Sequence, residues 1–281
     1  MMASHADVWN VMQFWMIVNQ PAIAGHIVEQ GVGRIFIDLE HLGKQQRQGH
    51  LDTWMSSHLA SDIAGVRAVV EPGRLLVRLN PWHGGSAAEI TSAIAAGADW
   101  LMLPMFRTLH ELESFCAVVD GRVPVIPLVE TAEALALITQ VARVPGVAEV
   151  FIGLNDLRLS LGLKFLFEPL VNGLLDRAAQ QLRDLGIPWG FGGLARHGEG
   201  LLPAELILGE HRRLGSSRVI LSRTFHRMAT SLEALQAEMD FGTEIAKLRA
   251  VEQHWRTASP AALSANHEQV RGIIDRIVSG A

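Results

Sequence analysis

Four strand-like apolar segments in the middle of the chain each end at a residue of distinct character, and those end residues fall at a constant interval. Segment 75–77 runs into Arg78, 100–103 into Pro104, 125–129 into Glu130, and 150–154 into Asn155-Asp156. From Arg78 to Pro104, from Pro104 to Glu130 and from Glu130 to Asp156 the step is 26 residues each time. One βα unit of a parallel barrel has about that length, and residues just past its buried strands collect at one rim. The interval therefore gathers Arg78, Glu130 and Asp156 around a single pocket mouth.

The remaining apolar runs extend the pattern. They alternate with stretches of helical period and predict eight strands, near 13–19, 34–39, 74–79, 100–104, 123–129, 148–154, 188–192 and 218–223. Eight β-then-α units with right-handed crossovers predict an α/β fold, a (β/α)8 TIM barrel; a doubly wound open sheet is the alternative. Ser86 with Glu89, and Thr108 with Glu111, fit the capping box that starts a helix. Beyond residue 228 the pattern is helical only: 230–251 reads as helix, and Ser259-Pro260 as an N-cap with proline in the first turn. The expected organisation is a barrel over 1–228 and extra C-terminal helices over 229–281. Those helices would pack on their own barrel or on a neighbouring subunit.

Bulk properties exclude several classes. At 281 residues, one domain would bury about 75% of the surface of its unfolded chain, enough for a core without staples. The net charge of −5, with no basic block, argues against nucleic-acid binding. Cys116 is the sole cysteine, which excludes an internal disulfide or a thiolate metal cluster. The early apolar run 14–18 is too short to span a bilayer and follows no Lys or Arg, so a cytoplasmic, soluble protein is expected.

The second strand ends in Asp38-Leu39-Glu40-His41. Strand alternation puts Asp38 and Glu40 on one face, with His41 where the chain leaves the sheet. With Glu130 and Asp156 the rim then holds four carboxylates, a histidine and Arg78. Such a cluster repels itself unless a cation sits within it, and oxygen ligands suit Mg²⁺ or Mn²⁺. Any one of these carboxylates, taken alone, is more often a rim salt bridge or a helix cap. No lysine lies in or at the end of a strand, so Schiff-base chemistry is not expected. Gly190, Gly192 and Gly193, after the seventh strand, either admit an anion or relieve crowding. Lys44, Arg47, Arg78, Arg107, Arg158, Arg196 and Arg223 fall near strand C-terminal ends, which suggests a small anionic substrate. His50, His58, His197 and His226 show no metal-ligand spacing, and Cys116 reads as a packed helix residue.

Taken in order, Asp38-Leu-Glu-His41, Val77-Arg78-Leu-Asn80, Gly97-Ala-Asp-Trp-Leu-Met-Leu-Pro104, Leu128-Val-Glu130-Thr131 and Gly153-Leu-Asn-Asp156-Leu-Arg-Leu-Ser-Leu-Gly162 resemble the HpcH/HpaI aldolase and citrate lyase β-subunit family. The resemblance spans roughly residues 30 to 225. It implies a barrel of the phosphoenolpyruvate/pyruvate superfamily with Glu130 and Asp156 as metal ligands. It also implies Arg78 on the keto or enolate oxygen, His41 oriented by Asp38 for proton transfer, and the backbone from Gly153 through Asn155 and Asp156 as the substrate carboxylate's seat. Trimers or hexamers are common in that family, so a homo-oligomer is expected. His after Asp-Leu-Glu resembles the pyruvate aldolases, whereas Asp-Leu-Glu itself resembles the acyl-CoA lyases. The polar segment 44–50 departs from both.

The expected function is therefore a metal-dependent carbon–carbon lyase or aldolase acting through the enolate of a 2-keto acid. Cleavage or condensation of a CoA thioester is the second hypothesis, and a non-catalytic barrel serving a biosynthetic pathway the third.

Overall fold

The computed structural model describes residues 11–43, 57–227 and 229–280. Strands β1 (Gln13–Ile17), β2 (Arg34–Asp38), β3 (Leu75–Arg78), β4 (Trp100–Leu103), β5 (Val125–Val129), β6 (Val150–Ile152), β7 (Trp189–Leu194) and β8 (Arg218–Leu221) form a closed parallel barrel. Each pairs with the next, and β8 returns to β1 with Ile220 opposite Trp15. The described helices between them are α1 (Pro21–Glu29), α2 (Ser61–Arg67), α3 (Ser86–Ala95), α4 (Leu109–Val119), α5 (Ala132–Ala136), α6 (Ile138–Val141), α7 (Leu154–Leu161), α8 (Leu174–Asp184) and α9 (Ala204–Leu214). After β8 come α10 (Leu232–Glu238), α11 (Phe241–Arg256) and α12 (Pro260–Ser279). Among the described residues no helix is long and apolar enough to cross a membrane.

Strand alternation divides the apolar residues into two cores. Trp15, Phe36, Leu76, Met102, Ile126 and Phe151 fill the barrel, while Phe14, Met16, Ile35, Ile37, Leu75 and Val77 pack outward against helices. The same period stacks charge above and below the inner core. Arg34, Phe36 and Asp38 share the inner face of β2, so one strand runs from a basic floor through an aromatic layer to an acidic rim.

The floor is an ion triad that sequence reasoning did not anticipate. Arg34 donates to both oxygens of Glu149 at 2.6 and 2.9 Å, and Arg218 donates to one at 3.1 Å. The Arg34 guanidinium also lies 3.7 Å from the Trp100 ring centroid and 4.9 Å from that of Trp15. Burial alone would raise the Glu149 pKa, but hydrogen bonding and attraction from Arg34, then Arg218, hold it below the ordinary value. This end of such a barrel serves stability rather than chemistry.

Several sequence expectations change. Thr108 and Glu111 form the full capping box at α4. Ser86 does not cap α3: it is the first helical residue, and its hydroxyl takes the His83 N–H at 2.9 Å while Glu89 turns to Asn80 and His83. The sixth strand stops at Ile152, because Gly153 starts α7, so Asp156 stands in a helix's first turn. Gly190, Gly192 and Gly193 lie inside β7, at a register shift against β8, rather than after it. A Cβ on Gly190 would fall 2.1 Å from the Arg218 carbonyl oxygen, so crowding between strands accounts for that glycine.

The predicted helix over 230–251 is two helices. Met239 is extended and Asp240 caps α11, accepting the Thr243 N–H at 2.9 Å. The tail packs on its own barrel wall. Trp255 Nε1 donates to the Glu205 carbonyl at 2.8 Å, and Asn266 Nδ2 donates to the Leu206 carbonyl and to Glu210, each at 3.1 Å. Gly209 permits that approach, since a Cβ there would lie 2.5 Å from Asn266 Nδ2.

Candidate active site

The rim is built on the last inward-facing residues of β2 and β3 and on the loops after β4, β5 and β6. Asp38 is fully buried, and both its carboxylate oxygens accept from Arg78, Oδ1 from Nε and Oδ2 from Nη2, at 2.8 Å each. Arg78 Nη2 also stands 3.4 Å from Glu40 Oε2. Two carboxylates thus hold the guanidinium, which lies 5.5 Å from the Phe36 ring centroid. Burial works against its charge, but attraction to Asp38 and Glu40 more than offsets this and raises the pKa above the ordinary range. Among the described residues Nη1 has no hydrogen-bond partner, which leaves one donor for a ligand.

Glu130 follows β5 directly and is 2% exposed. Its Oε1 accepts the Met105 N–H at 3.0 Å. Met105 reaches it from a left-handed conformation, φ +54°, which is rare outside glycine and frequent where a site demands a backbone donor. Thr131 ties the same two loops together, donating to the Phe106 carbonyl at 2.9 Å while capping α5. Glu130 Oε2 lies over Gly153, where a Cβ would come within 2.8 Å of it. A side chain there would push the Glu130 carboxylate from its place. Burial, then repulsion from Glu40 and Asp156, pushes the Glu130 pKa well above the ordinary carboxylate value, against the opposing pull of Arg78.

A cation would relieve that electrostatic cost. An ion held by Glu130 and Asp156 would remove the repulsion and the desolvated charge together, and all-oxygen donors match Mg²⁺ or Mn²⁺. Among the described residues no three His, Cys, Asp or Glu side chains form a ready metal cage, so such an ion would complete its shell with water or substrate. Asp156 and Asn155 lie in the first turn of α7, where the helix dipole favours negative charge.

His41 is exposed, and its position is set through its backbone. Asn80 Oδ1 accepts the N–H groups of His41 and Leu42, each at 2.9 Å, while Asn80 Nδ2 donates to Glu89 at 2.8 Å. The resemblance implies that Asp38 orients His41; in the structure both Asp38 oxygens accept from Arg78. Sequence reasoning passed over His58, whose Nδ1 accepts the Asp38 N–H at 3.1 Å. It also missed Asn80 as a clamp, although Asn80 lies only two residues past Arg78, just beyond the end of β3.

The other cations predicted near the rim are occupied elsewhere. Arg107 pairs with Glu133 on the surface, Arg158 donates to the Lys164 carbonyl, and buried Arg196 donates to the Phe225 carbonyl. Exposed His197 pairs with Glu205, and Cys116 packs in α4. Lys44, Arg47 and His50 lie outside the described residues, as does the Arg223 side chain.

A family model described as HpcH/HpaI aldolase/citrate lyase matches residues 12–167. A 4-hydroxy-2-oxo-heptane-1,7-dioate aldolase from Klebsiella pneumoniae subsp. pneumoniae is 28% identical over 169 residues, 59% of this chain. The chain spans 57% of the length of that relative. An HpcH/HpaI aldolase from Desulfitobacterium hafniense has a similar structure, with TM-score 0.60 and 17% identity, over 86% of this chain and 95% of the other. A citrate lyase β subunit from M. tuberculosis, complexed with oxaloacetate and magnesium, gives TM-score 0.57 at 14% identity, over 82% of this chain and 98% of its own. At those identities the two structures speak for the fold alone.

Proposed function

The chain belongs to the HpcH/HpaI aldolase/citrate lyase family, and we propose that it is a divalent-metal-dependent carbon–carbon lyase acting through the enolate of pyruvate or a related 2-keto acid. One observation carries the reading: a buried carboxylate crowded by Glu40 and Asp156 faces, across one rim, a guanidinium whose Nη1 has no hydrogen-bond partner among the described residues. Glu130 and Asp156 would hold Mg²⁺ or Mn²⁺. The ion would supply Lewis-acid polarisation of the keto acid, typically worth several kcal/mol where charge develops.

Arg78 Nη1 would donate to the oxygen that gains charge when the methylene carbon loses a proton or a carbon–carbon bond breaks. Asp38 and Glu40 keep that guanidinium charged and fixed, so the donor is aimed before the substrate arrives. The substrate carboxylate would settle on the backbone at Gly153 and the first turn of α7, beside Asn155 and Asp156. His41, its main chain pinned by Asn80, would carry the proton to or from the reacting carbon.

The test is exchange of deuterium into the pyruvate methyl group, followed by proton NMR, with Mg²⁺ or Mn²⁺ and then with chelator. Exchange should require the metal and disappear in Glu130→Gln, with Mn²⁺ affinity lost by calorimetry. Metal-independent exchange, or an active Glu130→Gln enzyme with normal Mn²⁺ binding, would reject the assignment.

A further inference from the structure

Behind the strand ends that carry Asp38 and Arg78 lies a cavity of about 460 Å³, between β2, β3, α2 and α3. Its size falls within the range of small-molecule sites. Leu39 and Leu79, which alternate with Asp38 and Arg78 along the chain, form its floor; Ile63 on α2 and Ala88 and Ala93 on α3 form its walls. The exposed Leu59 stands at its edge. His41, His58 and Asn80 line it on the rim side, so the residues that border the reacting centre are also its polar lip.

The charge of the lining sets what can enter. Among the described lining residues there is no Lys or Arg. The one charged group is Glu89, whose carboxylate takes Asn80 Nδ2 at 2.8 Å and His83 Nε2 at 3.1 Å. Among the described lining residues, a second carboxylate on the substrate would therefore meet Glu89 and no cation. The similar aldolase of Klebsiella is named for a dioate, a substrate with acid groups at both ends. The described walls of this cavity, Leu39, Leu79, Ile63, Ala88 and Ala93, are apolar instead.

We propose, resting on the lyase reading above, that this cavity holds the acceptor half of the reaction and selects an uncharged aldehyde with an aliphatic or aromatic tail. The carbonyl would stay at the His41–His58 lip and the tail would pass between α2 and α3 against Leu39, Leu79 and Ile63. In the synthetic direction the methyl carbon of pyruvate forms the new bond to the aldehyde carbon, and the aldehyde oxygen takes up the proton released from that methyl, so atoms balance without a further reactant.

The experiment is a kcat/KM series with pyruvate, Mn²⁺ and acetaldehyde, butanal, hexanal, benzaldehyde and succinic semialdehyde. Each buried methylene should raise kcat/KM about 3- to 4-fold, the equivalent of ~0.8 kcal/mol. Succinic semialdehyde should fall below butanal, its uncharged counterpart in chain length. Ala88 and Ser92, four residues apart on α3, are exposed at the mouth, so Ala88→Phe narrows the cavity without disturbing the core. It should lower the hexanal-to-acetaldehyde ratio of kcat/KM at least tenfold, and Ser92→Arg should improve succinic semialdehyde relative to butanal. A flat chain-length series, a preference for the semialdehyde, or an unchanged ratio in Ala88→Phe would overturn the proposal. Loss of metal-dependent methyl exchange in pyruvate is a different result: it would reject the lyase reading itself.

Discussion

Acidification should destabilise this protein through one imidazole far from the rim. His211 on α9 is fully buried, stacked on Phe191 with ring centroids 3.8 Å apart and planes at 12°. Its Nδ1 bonds the Ser216 hydroxyl. Burial pushes its pKa down to about 3, from the 6.5 expected of a free histidine. Arg212 and Arg256 border the small cavity beside it, and the nearby carboxylate of Glu252 is held by the Met12 N–H and Arg249. Between those two pKa values only the unfolded chain binds the proton, so stability falls as pH drops through that window and is constant above it. Integrated from pH 7 to pH 5, the loss is about 2 kcal/mol, whatever the folded value is below about 4. For a chain of 281 residues that lowers Tm by about 3–4 °C. Urea unfolding of wild type and His211→Gln at both pH values, in chelator, isolates the effect. The variant will cost stability at pH 7 through lost stacking. Its further loss on going to pH 5 should be about 2 kcal/mol smaller than that of wild type. Equal losses in both proteins would refute the argument.

Arg78→Lys keeps a positive charge but cannot grip Asp38 through two nitrogens while donating a third; kcat for the lyase reaction should fall about 10²- to 10³-fold, with the unfolding midpoint little changed, as steady-state kinetics and urea titration would show. Gly153→Ala places a methyl 2.8 Å from Glu130 Oε2 and should weaken Mn²⁺ binding in calorimetry while circular dichroism stays native. Glu149→Gln leaves Arg34 and Arg218 under-compensated in the barrel floor and should cost about 3–5 kcal/mol in urea unfolding, with turnover per folded molecule preserved.

The parts of this molecule legible in the sequence are those fixed by local repetition. Apolar runs mark all eight strands, because an inner and an outer core both demand buried residues at a period of two. The 26-residue interval places Arg78 and Glu130 at one rim, because each βα unit returns the chain to the same end. Asp156 arrives there by a different route, from the first turn of α7, because β6 ends at Ile152 and Gly153 caps the helix that follows. Long-range pairings are silent in the sequence. Arg34 and Arg218 meet Glu149 only because the sheet closes, across separations of 115 and 69 residues. Ser86 satisfied a capping rule and still served another donor, since His83, three residues earlier, offered its N–H first.

The same distinction separates the two halves of the proposed reaction. The proposed donor half rests on strand ends and on the first turn of α7, whose positions the barrel dictates, so its candidate residues could be named from spacing and family likeness. The acceptor half rests on how α2 and α3 lean against Leu39 and Leu79, an arrangement that depends on helix packing rather than on strand count. Substitutions at Arg78, Glu130 or Gly153 should therefore change whether pyruvate is activated, for every acceptor alike. Substitutions at Ala88 or Ser92 should change which aldehyde is chosen. If an α3 substitution altered methyl exchange in pyruvate as strongly as it altered aldehyde preference, the two halves would not be separable, and the cavity would belong to the donor.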